Sequence, residues 1–123
     1  MTTARLAALA LSALAACVSP DSPPHGAEGE VRRELRAPLE RCWRETVAAV
    51  HAVGVVVPRD QRPDQHAGAI RTEELRVDLA WLPPDGSTTE ARVLYHDRDP
   101  LRARVRGTAL LDAVEERLRR LGN

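Results

Sequence analysis

The stretch that decides the fold is "LRVDLAWLPPDGSTTEARVLYH", residues 75–96. Leu75, Val77, Leu79 and Trp81 alternate with Arg76, Asp78 and Ala80, a two-residue period that puts the apolar set on one side of an extended chain. The run stops at "PPDG", residues 83–86, where proline, aspartate and glycine supply turn chemistry. Beyond it, Ala91, Val93 and Tyr95 face one way again. The pair reads as an antiparallel hairpin with one buried face. Something elsewhere in the chain must cover that face.

Upstream, taking about 100° per residue from Leu39, the positions Leu39, Cys42, Trp43, Thr46, Val47, Ala49, Val50 and Val53 fall within an arc of about 160°. Glu40, Arg41, Arg44, Glu45 and His51 fill the other side, Pro38 suits a first helical turn and Gly54 a terminus. Downstream of Thr108, Leu110, Leu111, Val114, Leu118 and Leu121 make an apolar stripe about 100° wide, the mark of a second helix. Further strands are expected from Val31 to Ala37, where apolar and charged residues alternate weakly, from "VGVVVP" at 53–58, and from a brief "AIRT" at 69–72 after a polar loop. Residues 100–107 carry two readings. Asp99 and Pro100 look like a cap and first helical residue, yet a continuous helix would put Leu101 and Val105 on its polar side, whereas "LRARVR" alternates as a strand would. Either way the class is α+β: a two-layer sandwich in which an antiparallel sheet of about four strands carries two helices on one face. The domain is expected over residues 31–123.

The start of the chain is of another kind. Arg5 is followed by an apolar run of eleven residues, Leu6 to Ala16, interrupted only by Ser12 and too short for the roughly 20 that cross a membrane. A basic start, a short apolar run and small residues are the layout of a secretory signal peptide. The tetrapeptide Leu14-Ala15-Ala16-Cys17 resembles the lipobox of bacterial lipoproteins, in which cleavage falls before the cysteine and the cysteine is acylated. Residues 1–16 then form the signal peptide, and 17–30, rich in Pro, Ser, Gly and acidic groups, form a lipidated cysteine and disordered tether. A rival lies in Ala13-Leu14-Ala15, an A-x-A site whose cleavage releases a soluble protein that keeps Cys17 beside Cys42 as a possible disulfide partner.

The order of lipobox, short tether, "APLERCWRETVAAVHAVGV", Gly-Ala-Ile strand, hairpin and terminal helix resembles small bacterial lipoproteins carrying a single domain with no assigned function. The resemblance implies an address in the cell envelope, a membrane partner through acylated Cys17, and a place on the periplasm-facing side of the outer membrane. It supplies no catalytic residues.

Composition narrows the function classes. Eighteen basic residues, all arginine, balance eighteen acidic ones, so no bulk field draws the chain to nucleic acid. Trp43, Trp81 and Tyr95 are the only aromatics besides four histidines, too few to furnish a stacking platform. Cys42 lies on the apolar arc, about 180° round the helix from His51, so the two make no local dyad and Cys42 reads as a core residue. Asp60, Asp64 and His66, or His96, Asp97 and Asp99, match no recognised metal-ligand spacing and read as loop and turn residues. No enzymatic activity and no cofactor are therefore expected. One surface remains: Arg98, Arg102, Arg104 and Arg106 would project together from a strand and pair with lipid headgroups or an anionic envelope polymer. Against this stands a solvated face balanced by Asp97, Asp99, Asp112, Glu115 and Glu116. Two functions follow, a lipid-anchored structural or binding module that contacts membrane or envelope partners, and a soluble periplasmic or secreted protein with hydrolase or metal-dependent activity.

Overall fold

A computed structural model describes residues 26–121. Cys17, the signal segment and most of the expected tether lie outside the described residues. The hairpin forms as the alternation requires: β3 (Leu75–Leu82) and β4 (Thr88–Tyr95) pair antiparallel, with Leu75 opposite Tyr95, Val77 opposite Val93 and Leu79 opposite Ala91. Each apolar residue thus meets an apolar residue on the same face, and all six are buried. β1 (Val31–Leu35) adds to the free edge of β4 and β2 (Ala67–Arg71) to that of β3, giving a four-stranded antiparallel sheet in the order β1-β4-β3-β2.

Helices α1 (Leu39–Ala52) and α2 (Pro100–Leu121) cover one face of this sheet. They run antiparallel. Arg41 at the start of α1 donates to the Leu118 carbonyl near the end of α2 at 2.7 Å, and Glu45 accepts from Arg117 at 3.0 Å. The core lies between the layers, where Leu35, Ile70, Leu75, Leu79, Leu110 and Leu111 lose essentially all solvent contact. Burial of each such side chain contributes about 1.5–3 kcal/mol.

The strand expected at 53–58 does not form. Val55 and Val57 are buried while Val53 and Val56 are exposed, and the Val57 N–H reaches the His51 ring at 3.4 Å rather than a strand neighbour. The backbone reverses at Gly54, and the segment becomes a loop that drops two valines into the core. Two positions also depart from the pattern expected of α1. Glu45 is buried against Arg117, and Val53 is exposed because the helix ends at Ala52. The hydroxyl of Thr46, buried on the same face, finds no hydrogen-bond partner among the described residues.

Residues 100–107 are helical throughout, which overturns the strand reading. Asp99 accepts from the Leu101 N–H at 3.0 Å, and Pro100 occupies the first helical position, where its missing N–H costs nothing. Gly107 marks where α2 crosses the sheet: a Cβ there would sit 3.0 Å from Val31 Cγ2 and 3.6 Å from Val93 Cγ1. Its absence lets the helix approach β1 and β4 closely.

Candidate functional site

The strand directions divide the domain into two ends. At one, the hairpin tip, lie residues 83–87, the start of α1 and the end of α2. At the other, the base, the chain joins β1, β2 turns into β3, β4 runs into α2, and α1 ends.

The base is where the sequence-predicted arginines gather. Asp97 accepts from the Asp99 N–H at 2.9 Å and so shapes the turn that starts α2. The same carboxylate lies 3.8 Å from Arg102 and 3.9 Å from Arg106. Arg106 also places its guanidinium 4.1 Å from the centre of the Tyr95 ring, a cation–π contact at the end of β4. Burial pushes the Tyr95 hydroxyl pKa up, against the opposing Arg106 charge. Arg98 and Arg104 are exposed. A helix does not gather Arg102, Arg104 and Arg106 on one face as a strand would. Arg102 and Arg106, four residues apart, share one flank, and Arg104, two residues from each, falls on the other. Between them stand Leu101 and Val105, also four residues apart and both exposed.

The chain arrives at this same place. Gly29 is buried, and a Cβ on it would lie 3.1 Å from Ala103 Cβ and 3.2 Å from the Pro100 carbonyl oxygen. With φ of +89°, it is a position that glycine fills without strain. Glu30, next to it, turns to the helix-free face of the sheet and bonds Arg76 at 2.9 Å and Arg92 at 3.4 Å. Packing thus begins at Gly29, inside the segment read from sequence as tether.

The ladder on that helix-free face continues from Arg92 to Glu90 at 2.8 Å, from Arg32 to Glu90 at 3.5 Å and from Arg76 to Asp78 at 3.1 Å. Opposite signs are interleaved along the strands, with like charges such as Arg32 and Arg92 directly opposite and met by acids on either side, so the ladder offers an anion or a cation no field of one sign. Two open hollows differ in charge, the first lined by both signs and the second by acids alone. One, of about 400 Å³, runs between Glu34, Arg36, Glu115 and Arg119; the other, of about 560 Å³, lies beside Leu39, Glu40, Pro63 and Asp64.

The remaining sequence candidates have structural duties. Cys42 is fully buried, its thiol 3.4 Å from the Ala37 carbonyl, and burial pushes its pKa up against the smaller opposing effects of Thr89 and Arg41. Asp64 accepts from the His66 and Ala67 N–H groups at 2.7 and 2.8 Å, which holds its pKa below the usual carboxylate range and closes the turn into β2. The His66 ring meets Trp81 edge-on, with centroids 5.2 Å apart. His96 Nδ1 lies 3.0 Å from the Glu73 carbonyl. Among the described residues no three His, Cys, Asp or Glu side chains converge as metal ligands, and no helix is long and apolar enough to cross a membrane.

Sequence reasoning picked out the arginines of the base but not the apolar residues between them. Leu101 and Val105 carried the signal, since both fall on the polar side once 100–107 is helical; Gly29 carried none, because its packing partner lies over 70 residues away. No protein-family model matches the chain, and no curated protein matches it significantly.

Proposed function

We propose that the protein is a lipid-anchored component of a bacterial envelope, a non-enzymatic structural or binding module held to the membrane through acylated Cys17. The observation that carries this reading is Leu14-Ala15-Ala16-Cys17 placed directly after an eleven-residue apolar run. The burial of Cys42 supports it, because a thiol without solvent access and with a raised pKa is a poor nucleophile and a poor acceptor for modification. Of the two cysteines in the sequence, that leaves Cys17 for acylation.

The test is metabolic labelling with a fatty acid in a bacterial host, followed by membrane fractionation. The protein is expected to take up label and sediment with membranes, and Cys17→Ser to lose both properties. Label retained by Cys17→Ser overturns the reading. A mature protein beginning at Ala16 without label points instead to cleavage at Ala13-Leu14-Ala15 and to the soluble alternative.

A further inference from the structure

Building on the lipid-anchored reading, we propose that the base of the domain lies on the bilayer that holds Cys17, with Leu101 and Val105 of α2 seated at the level of the headgroups and Val53 and Val56 beside them. Among the described residues, the large apolar side chains left exposed are these four, at 68, 62, 54 and 79% respectively. Their placement is not scattered. Leu101 and Val105 begin α2 directly after β4 ends at the base, and Val53 and Val56 follow α1, which runs antiparallel to α2 and ends there too. Four exposed apolar side chains at one end of so small a domain make an interaction surface rather than chance exposure.

The chemistry around them fits a lipid surface. At about 100° per residue, Leu101 and Val105 stand about 40° apart, with Arg104 about 60° to one side of Leu101 and Arg102 and Arg106 about 100° and 140° to the other. An apolar ridge flanked by cations on both sides is the pattern of a helix lying in the interface, its ridge entering the acyl boundary and its guanidinium groups meeting phosphates. The arginine stems reach outward while their heads stay in the polar layer. Glu73, Glu74 and Asp99 are exposed at the same end, so the apolar seat makes the contact and the arginines act as local headgroup ligands rather than through bulk charge.

The chain leading toward Cys17 enters the fold at this same end. Residues 18–25 separate Cys17 from the first described residue, and eight residues span at most about 29 Å. Gly26 to Glu30 then fold back through the Ala27 carbonyl and the Glu30 carboxylate, and Gly29 is wedged against Pro100 and Ala103. The anchor therefore draws on the domain at the first turn of α2, beside the apolar ridge.

The experiment uses the acylated protein purified from membranes and reconstituted into vesicles of phosphatidylethanolamine and phosphatidylglycerol. A nitroxide is attached at Val105→Cys, Val56→Cys or, at the hairpin tip, Ser87→Cys; buried Cys42 does not compete. Mass spectrometry of the N-terminal peptide reports acylation separately. At 105 and 56 the nitroxide is expected to favour collision with oxygen over a water-soluble nickel chelate by several-fold relative to 87. Aqueous behaviour at all three sites on an acylated protein overturns the docking while leaving the anchor intact. Spin–spin broadening at 105 with undiminished nickel access overturns it in favour of a second copy of the chain. An unacylated peptide overturns the anchor, and the docking with it.

Discussion

At the scale of single residues, burial decides what a side chain can do, and Cys42 is the clearest case. Its place on the apolar arc was legible from spacing alone, and the structure puts it in the core with its thiol facing the Ala37 carbonyl. Because its pKa is raised above the ordinary 9.0, the folded protein holds this proton at a pH where the unfolded chain has released it. Stability from Cys42 is therefore complete below about pH 9 and lost as pH rises beyond it; Tyr95, raised above 10.0, acts in the same direction at higher pH. Urea unfolding between pH 7 and 10.5 is expected to show declining stability above pH 9, by at most about 1.4 kcal/mol per pH unit from one group. Cys42→Ala should start lower but lose the first part of that slope. An equal slope in both proteins would assign the loss to other groups. Charged residues were harder to read than Cys42. Glu45 reads as a surface position on the polar side of the arc, yet it is buried against Arg117, and Arg33, on the apolar side of the weak alternation at 31–37, reaches Asp112 at 2.7 Å and Glu115 at 3.2 Å. Their partners sit more than 70 positions away, and no local period announces them.

At the scale of elements, α2 carried the ambiguity and α2 carries the site. Residues 101–106 satisfy a two-residue period because arginine stands at every second position, and the same six residues satisfy a helix only if two apolar side chains face water. The cap settles it: Asp99 and Pro100 specify a helix start, and both edges of β4 are already taken by β1 and β3. The strand at 53–58 failed for a related reason. Its β-branched run has strand propensity, but propensity says nothing about whether a neighbouring strand is available to pair with. Within α2 the charges run against the local field. The first turn has no acidic residue and holds Arg102, where the helix dipole favours an anion and where a capping box would place Glu or Gln. Among the described residues its ion-pair partner is Asp97 at 3.8 Å, a long contact from an arginine that is itself 67% exposed and so of little strength. Arg102→Gln is therefore expected to raise unfolding free energy by about 0.5 kcal/mol at low salt, with the gain shrinking as salt is added. A loss of stability would mean that the Asp97 pair outweighs the dipole. A stabilising loss of an arginine is the signature of a charge kept for contact with something outside the domain.

At the scale of the whole molecule, the question is how firmly the chain leading toward Cys17 is fixed to the folded body. The composition of 18–30 reads as a tether, and nothing in that string marks where packing begins. The boundary is set by partners distant in sequence: Gly29 by the first turn of α2, and Glu30 by Arg76 and Arg92 on two neighbouring strands. The Glu30 and Arg76 side chains are only 5 and 4% exposed, so their pairing is worth more than a surface contact, and its loss leaves charge in a poorly hydrated place. Glu30 also accepts from the Gly26 N–H at 3.0 Å, closing the turn that brings the chain in. One carboxylate thus ties the arriving chain both to itself and to the sheet. Glu30→Ala is expected to lower stability by about 2 kcal/mol, less than the full cost of breaking an isolated buried pair because Asp78 still contacts Arg76. It is also expected to speed proteolytic cleavage within 26–30 several-fold under conditions where the rest of the domain stays folded. Glu34→Ala, at an exposed position of β1, should do neither. If Glu30→Ala keeps both its stability and its resistance to cleavage, the junction is held by Gly29 alone. If both fall together, the connection at the base is a rigid one, and a pull on Cys17 is delivered to the sheet itself.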